Sequence, residues 1–188
     1  YSEAIKNKLI HNEPERVMEL VHKIGDNARE TITNLSDIVW SINPANDRGE
    51  VVVSRMESFA SFLLSSKNIQ LNFNCDEALR KMEFSMETRQ HLFLIFKEAI
   101  NNAAKYSNAN QVNVSVNLMN GKIKMSIADN GVGFSVPGMS ENGKSNGSIH
   151  NGGNGLNNIR LRTDQLKGNL DIRSSKEGTT LELVLPLT

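Results

Sequence analysis

Cysteine is nearly absent from this 188-residue chain. The single Cys75 excludes an intramolecular disulfide and a cysteine-built metal cluster, and it fits a reducing compartment. Excess charge of either sign is absent too. Twenty-one basic and 21 acidic residues give a formal net charge of +0, so no basic surplus points to nucleic acid. No apolar run approaches the roughly 18 residues that a membrane-spanning helix needs. Neither is a signal peptide visible. The chain opens on Tyr1 rather than methionine, so it is expected to be a fragment, with room upstream for a targeting or membrane segment. At 38% hydrophobic residues, its length suits one domain plus an extension, or two small domains.

What is present begins with a long helical pattern. Val21, Ile24, Ala28, Thr31, Leu35, Ile38 and Ile42 recur at spacings of three and four, which predicts one helix from about Glu15 to Ile42, ended by Pro44. The apolar seam is narrow, as in a helical bundle or coiled coil. It needs a partner, and dimerisation is the expected use. A second helix is expected near Glu50 to Ser66, a strand from Ile69 to Cys75, and a strongly apolar helix near Glu87 to Tyr106. Val112, Val114 and Val116 alternate as a strand. Asn120-Gly121 then forms a two-residue hairpin turn into a strand ending at Asp129. The stretch from Ser135 to Asn154, rich in Gly, Ser and Asn, reads as a mobile loop and candidate lid. A helix near Leu156 to Leu166 and strands near Asn169 to Ser174 and Thr180 to Pro186 complete the chain.

Four segments carry chemistry. In Asp129-Asn130-Gly131-Val132-Gly133-Phe134 a strand ends in a carboxylate followed by two glycines. The carboxylate can accept a hydrogen bond from an exocyclic amine, as on adenine, and the glycines let backbone approach a ring or a phosphate. On the preceding helix, Glu98 and Asn102 share one face, with Lys105 three residues further on. A carboxylate, an amide oxygen and an ammonium on one stripe suit a magnesium-bound triphosphate. Mg²⁺ takes oxygen ligands and keeps several waters, so one amide oxygen suffices as a direct protein ligand. Gly153-Asn154-Gly155-Leu156 opens a helix, whose N-terminal N–H groups attract anions. Gly178-Thr179-Thr180 enters the last strand, where a glycine permits close approach and a threonine hydroxyl can bond a carboxylate or a water. Singly, each segment is also an ordinary hairpin, polar helix face or cap.

In this order the four segments resemble the N, G1, G2 and G3 boxes of the gyrase, Hsp90, histidine kinase and MutL ATPase superfamily, over about Ile69 to Thr188. Within it the chain most resembles the catalytic domain of bacterial two-component sensor histidine kinases. Asn34-Leu35-Ser36-Asp37-Ile38-Val39-Trp40-Ser41-Ile42-Asn43-Pro44 is similar to the end of the second dimerisation helix in the nitrate-sensor and DesK-like branch. The resemblance implies a two-layer α/β sandwich (the Bergerat ATP-binding fold) with a mixed sheet, preceded by a helical dimerisation segment. Residues 1–48 would be a partial dimerisation and phosphotransfer domain, and residues 49–188 the ATP-binding catalytic domain.

The same resemblance implies roles. Asp129 would bind the adenine amine. Asn102 would ligate Mg²⁺, with Glu98 as the catalytic carboxylate beside it, and Lys105 would sit near phosphate. Gly131, Gly133, Gly153 and Gly155 would shape the pocket and its lid, Leu156 and Thr179 would be among the ATP-binding residues, and Thr180, with Gly178, would support the adenine contact through Asp129. The cofactors would be ATP and Mg²⁺, and the partners a second copy through the N-terminal helix and the receiver domain of a response regulator. Nucleic acid and membrane contact are not expected of this stretch. The expected location is the cytoplasmic part of a membrane-anchored sensor. The family often has histidine where Tyr106 stands. None of His11, His22, His91 and His150 matches the phosphate-accepting position, whose histidine is followed by an acidic residue. That acceptor is therefore expected upstream of Tyr1. Competing assignments are an anti-sigma-type serine kinase, an ATP-driven clamp, and a non-catalytic dimer module of the same fold.

Overall fold

The computed structural model describes residues 14–134 and 154–187. It divides into two compact units, Tyr1–Asn43 and Pro44–Thr188. The sequence placed the division after residue 48. In the structure the short 3-10 turn Pro44–Asn46 already belongs with the second unit.

The described part of the first unit is a single helix, α1, Pro14–Ile42. It starts one residue before the sequence reading. Proline suits a first helical turn, where the missing N–H would have no intrahelical acceptor anyway. Ion pairs lace its polar side locally, Lys23 to Glu19 at 2.7 Å and Arg29 to Asp26 at 2.8 Å. The expected apolar seam is exposed: Val21, Ile24, Leu35, Ile38 and Ile42 all face solvent, joined by Met18, Ile32 and Val39.

The second unit is a two-layer α/β sandwich. Its elements run α2 (Gly49–Ser65), β1 (Gln70–Cys75), α3 (Glu77–Arg80), α4 (Met86–Tyr106), β2 (Gln111–Met119) and β3 (Lys122–Asp129), then α5 (Asn154–Gln165), β4 (Asn169–Ser175) and β5 (Gly178–Pro186). Among the described residues the five strands form one sheet in the order β1-β2-β3-β5-β4. β1 pairs parallel with β2 and every other pairing is antiparallel, so the sheet is mixed, as expected. Asn120 and Gly121 both take positive φ (51° and 69°) in the turn between β2 and β3, the backbone that a two-residue hairpin requires. The four-residue α3 escaped the sequence reading, because it is too short to show a helical period.

Alternation along the strands explains the layering. Val112, Val114 and Val116 of β2, Ile123, Met125 and Ile127 of β3, and Leu181, Leu183 and Leu185 of β5 are buried, while the residues between them are partly or fully exposed. One face of the sheet is therefore covered. Its cover is Val52, Val53, Met56, Ala60 and Leu64 of α2, Leu92, Phe93, Ile95, Phe96 and Ile100 of α4, and Ile159 of α5. Edge-to-face ring pairs, Phe59 with Phe93 and Phe73 with Phe96, lock α2 to α4 and β1 to α4. Ser85 caps α4 by accepting the Thr88 N–H at 3.2 Å. Near that end of α4, Arg89 is 1% exposed and ion-paired with Asp47, which ties the helix to the segment entering α2.

Candidate nucleotide site

The burial alternation decides where the chemistry lies. Asp129 continues the series Ile123, Met125, Ile127, so its side chain leaves the sheet on the helix-covered face. Thr179 continues the series Leu185, Leu183, Leu181 on the same face, and the register sets it opposite Asp129. Asp129 Oδ1 accepts two backbone N–H groups, Gly131 at 2.9 Å and Thr179 at 3.3 Å. Among the described residues nothing donates to Oδ2. The carboxylate is thus fixed through one oxygen, with the other left as an acceptor.

Three close backbone contacts hold the loop after Asp129. A Cβ on Gly131 would stand 2.0 Å from the Ser107 carbonyl oxygen, which also accepts the Val132 N–H at 2.8 Å. Gly133, at φ +61°, lies against β4, where a Cβ would meet the Ser175 carbonyl oxygen at 1.8 Å. Gly178, at φ +126°, approaches Asp129 itself, with a Cβ 2.0 Å from the Asp129 carbonyl oxygen. These glycines serve close approach of backbone to backbone, besides any approach to a ligand.

The second cluster lies where α4 meets the start of α5. A Cβ on Gly155 would stand 2.1 Å from Glu98 Oε1 and 3.5 Å from Asn102 Nδ2. Glu98 and Asn102 are half-buried and, among the described residues, form no hydrogen bond. A carboxylate and an amide so placed are unspent donors and acceptors beside a helix N-terminus, a set that fits a hydrated divalent cation and phosphate oxygens. Lys105, in the last turn of α4, is exposed and has no partner among the described residues, and Tyr106 is exposed beside it. Leu156 is half-buried in the first turn of α5.

The structure therefore groups Asp129 with Gly178 and Thr179, and Glu98 with Asn102 and Gly155. Thr180 is set apart. It stands opposite Ala128, on the other face of the sheet by strand alternation, and the expected contact with Asp129 comes from the Thr179 backbone N–H instead. Gly153, His150 and the candidate lid up to residue 153 lie outside the described residues, as does His11. Among the described residues no group of three or more His, Cys, Asp or Glu could hold a metal, and no helix is long and apolar enough to cross a membrane.

Three positioning groups were missed from sequence. Asn130 Oδ1 accepts the N–H groups of Asn110 (3.1 Å) and Gln111 (3.0 Å), pinning the loop to the start of β2. Ser107, buried at the end of α4, supplies the carbonyl described above. Ser174 Oγ accepts the Phe134 N–H at 2.8 Å and lies 3.0 Å from Thr179 Oγ1. Only Asn130 carried a signal, as the middle residue of Asp-Asn-Gly, where asparagine commonly bonds nearby backbone. Two titratable groups elsewhere are perturbed. Burial, reinforced by Arg162 and opposed by Glu87, lowers the pKa of His91. Burial pushes the Cys75 thiol up to about 11 despite Arg80 nearby, which leaves it protonated and unreactive at neutral pH.

The mixed sheet, covered on one face, thus carries a fixed strand-end carboxylate, and an unspent Glu–Asn pair stands against a helix N-terminus. Residues 87–188, more than half the chain, match the family model "Histidine kinase-, DNA gyrase B-, and HSP90-like ATPase", and the chain belongs to that family. Among curated relatives, the sensor histidine kinase YdfH of Bacillus subtilis is 24% identical over 189 residues, covering 98% of this chain and 43% of the relative. The nitrate/nitrite sensor protein NarQ of Escherichia coli is 30% identical over 129 residues, covering 68% and 21%. The sensor histidine kinase MctS of Rhizobium johnstonii is 33% identical over 100 residues, covering 53% and 20%. The chain thus spans less than half the length of each of these relatives.

Solved structures agree on the fold. Acinetobacter baumannii histidine kinase AdeS superposes with a TM-score of 0.67 at 13% identity, over 99% of this chain and 93% of that one. The blue-light activated histidine kinase of Erythrobacter litoralis gives 0.64 at 18% identity, over 99% and 57%. The ATP-binding catalytic region in this chain is that of a sensor histidine kinase.

Proposed function

We propose that residues 49–188 bind Mg-ATP in the gap between the sheet and the α4–α5 pair and present the γ-phosphoryl group to a histidine, from which it passes to an aspartate on a response regulator receiver domain. One observation carries this reading. Asp129 is oriented by two backbone N–H groups with one oxygen left over, while Glu98 and Asn102 stand half-buried and unspent against Gly155.

Bound Mg-ATP supplies the activated phosphoryl group and neutralises its charge. The chain supplies position, the larger part of catalysis in phosphoryl transfer. The free oxygen of Asp129 accepts the exocyclic amine of adenine, which guanine does not offer at that place. The Asn102 amide oxygen is the direct protein ligand to magnesium. Glu98 takes the proton released when an imidazole nitrogen is phosphorylated. The N–H groups opening α5 at Gly155 and Leu156 face phosphate, and Lys105 screens it from the solvent side. Residues 1–43 act as part of a dimerisation domain, whose apolar α1 seam meets a second copy. None of the four histidines has the sequence context of an acceptor, so this chain alone takes no phosphate.

Calorimetric titration with ADP, with and without Mg²⁺, tests the reading. Micromolar binding that magnesium strengthens and Asp129→Asn abolishes is the expected result. No binding by the parent chain, or equal binding by Asp129→Asn, overturns it. Acid-labile label on this chain after incubation with ATP would overturn the statement about the acceptor.

A further inference from the structure

The loop from Asp129 to Phe134 is tied at both ends to the same hairpin. At its start, the Thr179 N–H of β5 meets Asp129 Oδ1. At its end, Ser174 of β4 accepts the Phe134 N–H at 2.8 Å. Ser174 and Thr179 are register partners, so their side chains share a face, and their hydroxyl oxygens lie 3.0 Å apart. A hydroxyl has one proton and two lone pairs. Accepting from Phe134 leaves the Ser174 proton for Thr179, or a lone pair for the Thr179 proton. Gly133 lacks a side chain where Ser174 Oγ would stand 2.9 Å from its Cβ, so backbone and hydroxyl meet directly.

We infer that Ser174 is a positioning residue of the nucleotide site: its hydroxyl, held between the Phe134 N–H and the Thr179 hydroxyl, fixes the Gly133–Phe134 end of the loop whose other end orients Asp129. The inference rests on the nucleotide reading above. It assigns Ser174 no contact with the ligand. The hydroxyl acts by holding the loop in one conformation before nucleotide arrives, which reduces the ordering cost of binding.

The test uses the full chain with ADP and Mg²⁺ as probe. Ser174→Ala is expected to weaken ADP by about threefold to tenfold, the range of one neutral hydrogen bond, and to speed amide hydrogen exchange at Phe134. Ser174→Thr, which restores a hydroxyl, returns ADP affinity to within about twofold of the parent. Thr179→Val deletes only the hydroxyl partner and keeps the N–H to Asp129, so it weakens ADP by about twofold to threefold. A lower melting temperature with unchanged ADP affinity in Ser174→Ala and Thr179→Val would make the pair merely structural and overturn the inference. If the parent chain binds no ADP, the nucleotide reading falls and takes this inference with it. Parent binding with unaffected variants removes the inference alone.

Discussion

Helix α1 and the α/β unit use similar apolar residues to opposite ends. In the α/β unit Leu, Ile, Val, Met and Phe are removed from water, and Met125, Ile100 and Leu183 are fully buried. On α1 the same residue types stand in solvent, Ile32 at 65% and Leu35 at 60% exposure. Stability in the first case comes from burial within the chain. Along the helix, Lys23 with Glu19 and Arg29 with Asp26 form i,i+4 and i,i+3 ion pairs worth about 0.2–0.5 kcal/mol each. An amphipathic helix is half of a structure. Its pattern specifies that a partner is needed, and the α/β unit shows what the same chemistry achieves once it is enclosed.

Cutting into the enclosed core should have the largest effect. Met125→Ala is expected to lower unfolding stability by about 2–5 kcal/mol, read as a lower urea midpoint at unchanged slope. Gly178→Ala comes next. Its φ of +126° and the Asp129 carbonyl 2.0 Å from the new Cβ force the β4–β5 turn to shift, at a cost of about 1–3 kcal/mol. Because the strained atoms belong to Asp129, ADP binding should fall with stability, whereas Met125→Ala should leave ADP affinity nearly intact.

The other side of the comparison should respond differently. Leu35→Ala is expected to change the urea transition of the α/β unit by less than about 0.5 kcal/mol, as for an exposed site, yet to weaken self-association measured by sedimentation. A large loss of α/β stability with unchanged self-association would erase the distinction drawn between the two regions.

The smallest effect concerns pH. The His91 pKa is lowered by burial and by Arg162. The unfolded chain then binds a proton that the folded chain refuses, so stability is present above the ordinary histidine range and declines as pH falls through and below it. Melting temperature should therefore fall between pH 7.5 and 5, and His91→Gln should flatten part of that slope. A slope unchanged by His91→Gln would remove His91 as its source.

Most of the fold was legible because its signals are periodic or local. Alternation marked β2, spacings of three and four marked α1, and apolar content marked α4, with the ends of α1, α2 and α4 within a residue or two. Asn120-Gly121 announced its own turn. The four-residue α3 offered no period to read. At the site, Asp129, Gly178, Glu98, Asn102 and Gly155 were named from spacing, and the structure brings them into two clusters. Ser107 and Ser174 were not legible, because a serine that holds a distant backbone group looks in sequence like any polar residue on a helix or strand end. Thr180 was expected to support Asp129 through its side chain, and the structure uses the main-chain N–H of Thr179, a donor that every residue but proline has and that no side-chain pattern marks.

The sequence by itself determined the elements, the apolar faces and the order of the four motifs, since these depend on neighbours within a few residues. Tertiary structure alone decided the register that sets Asp129 opposite Thr179, the packing of Gly155 against Glu98, and the ties from Ser107 and Ser174 that shape the Asp129 loop. Each of these joins residues tens of positions apart, and only the closing of the sheet against the helices, driven by burial of apolar surface shared across all of them, brings such residues within hydrogen-bonding distance.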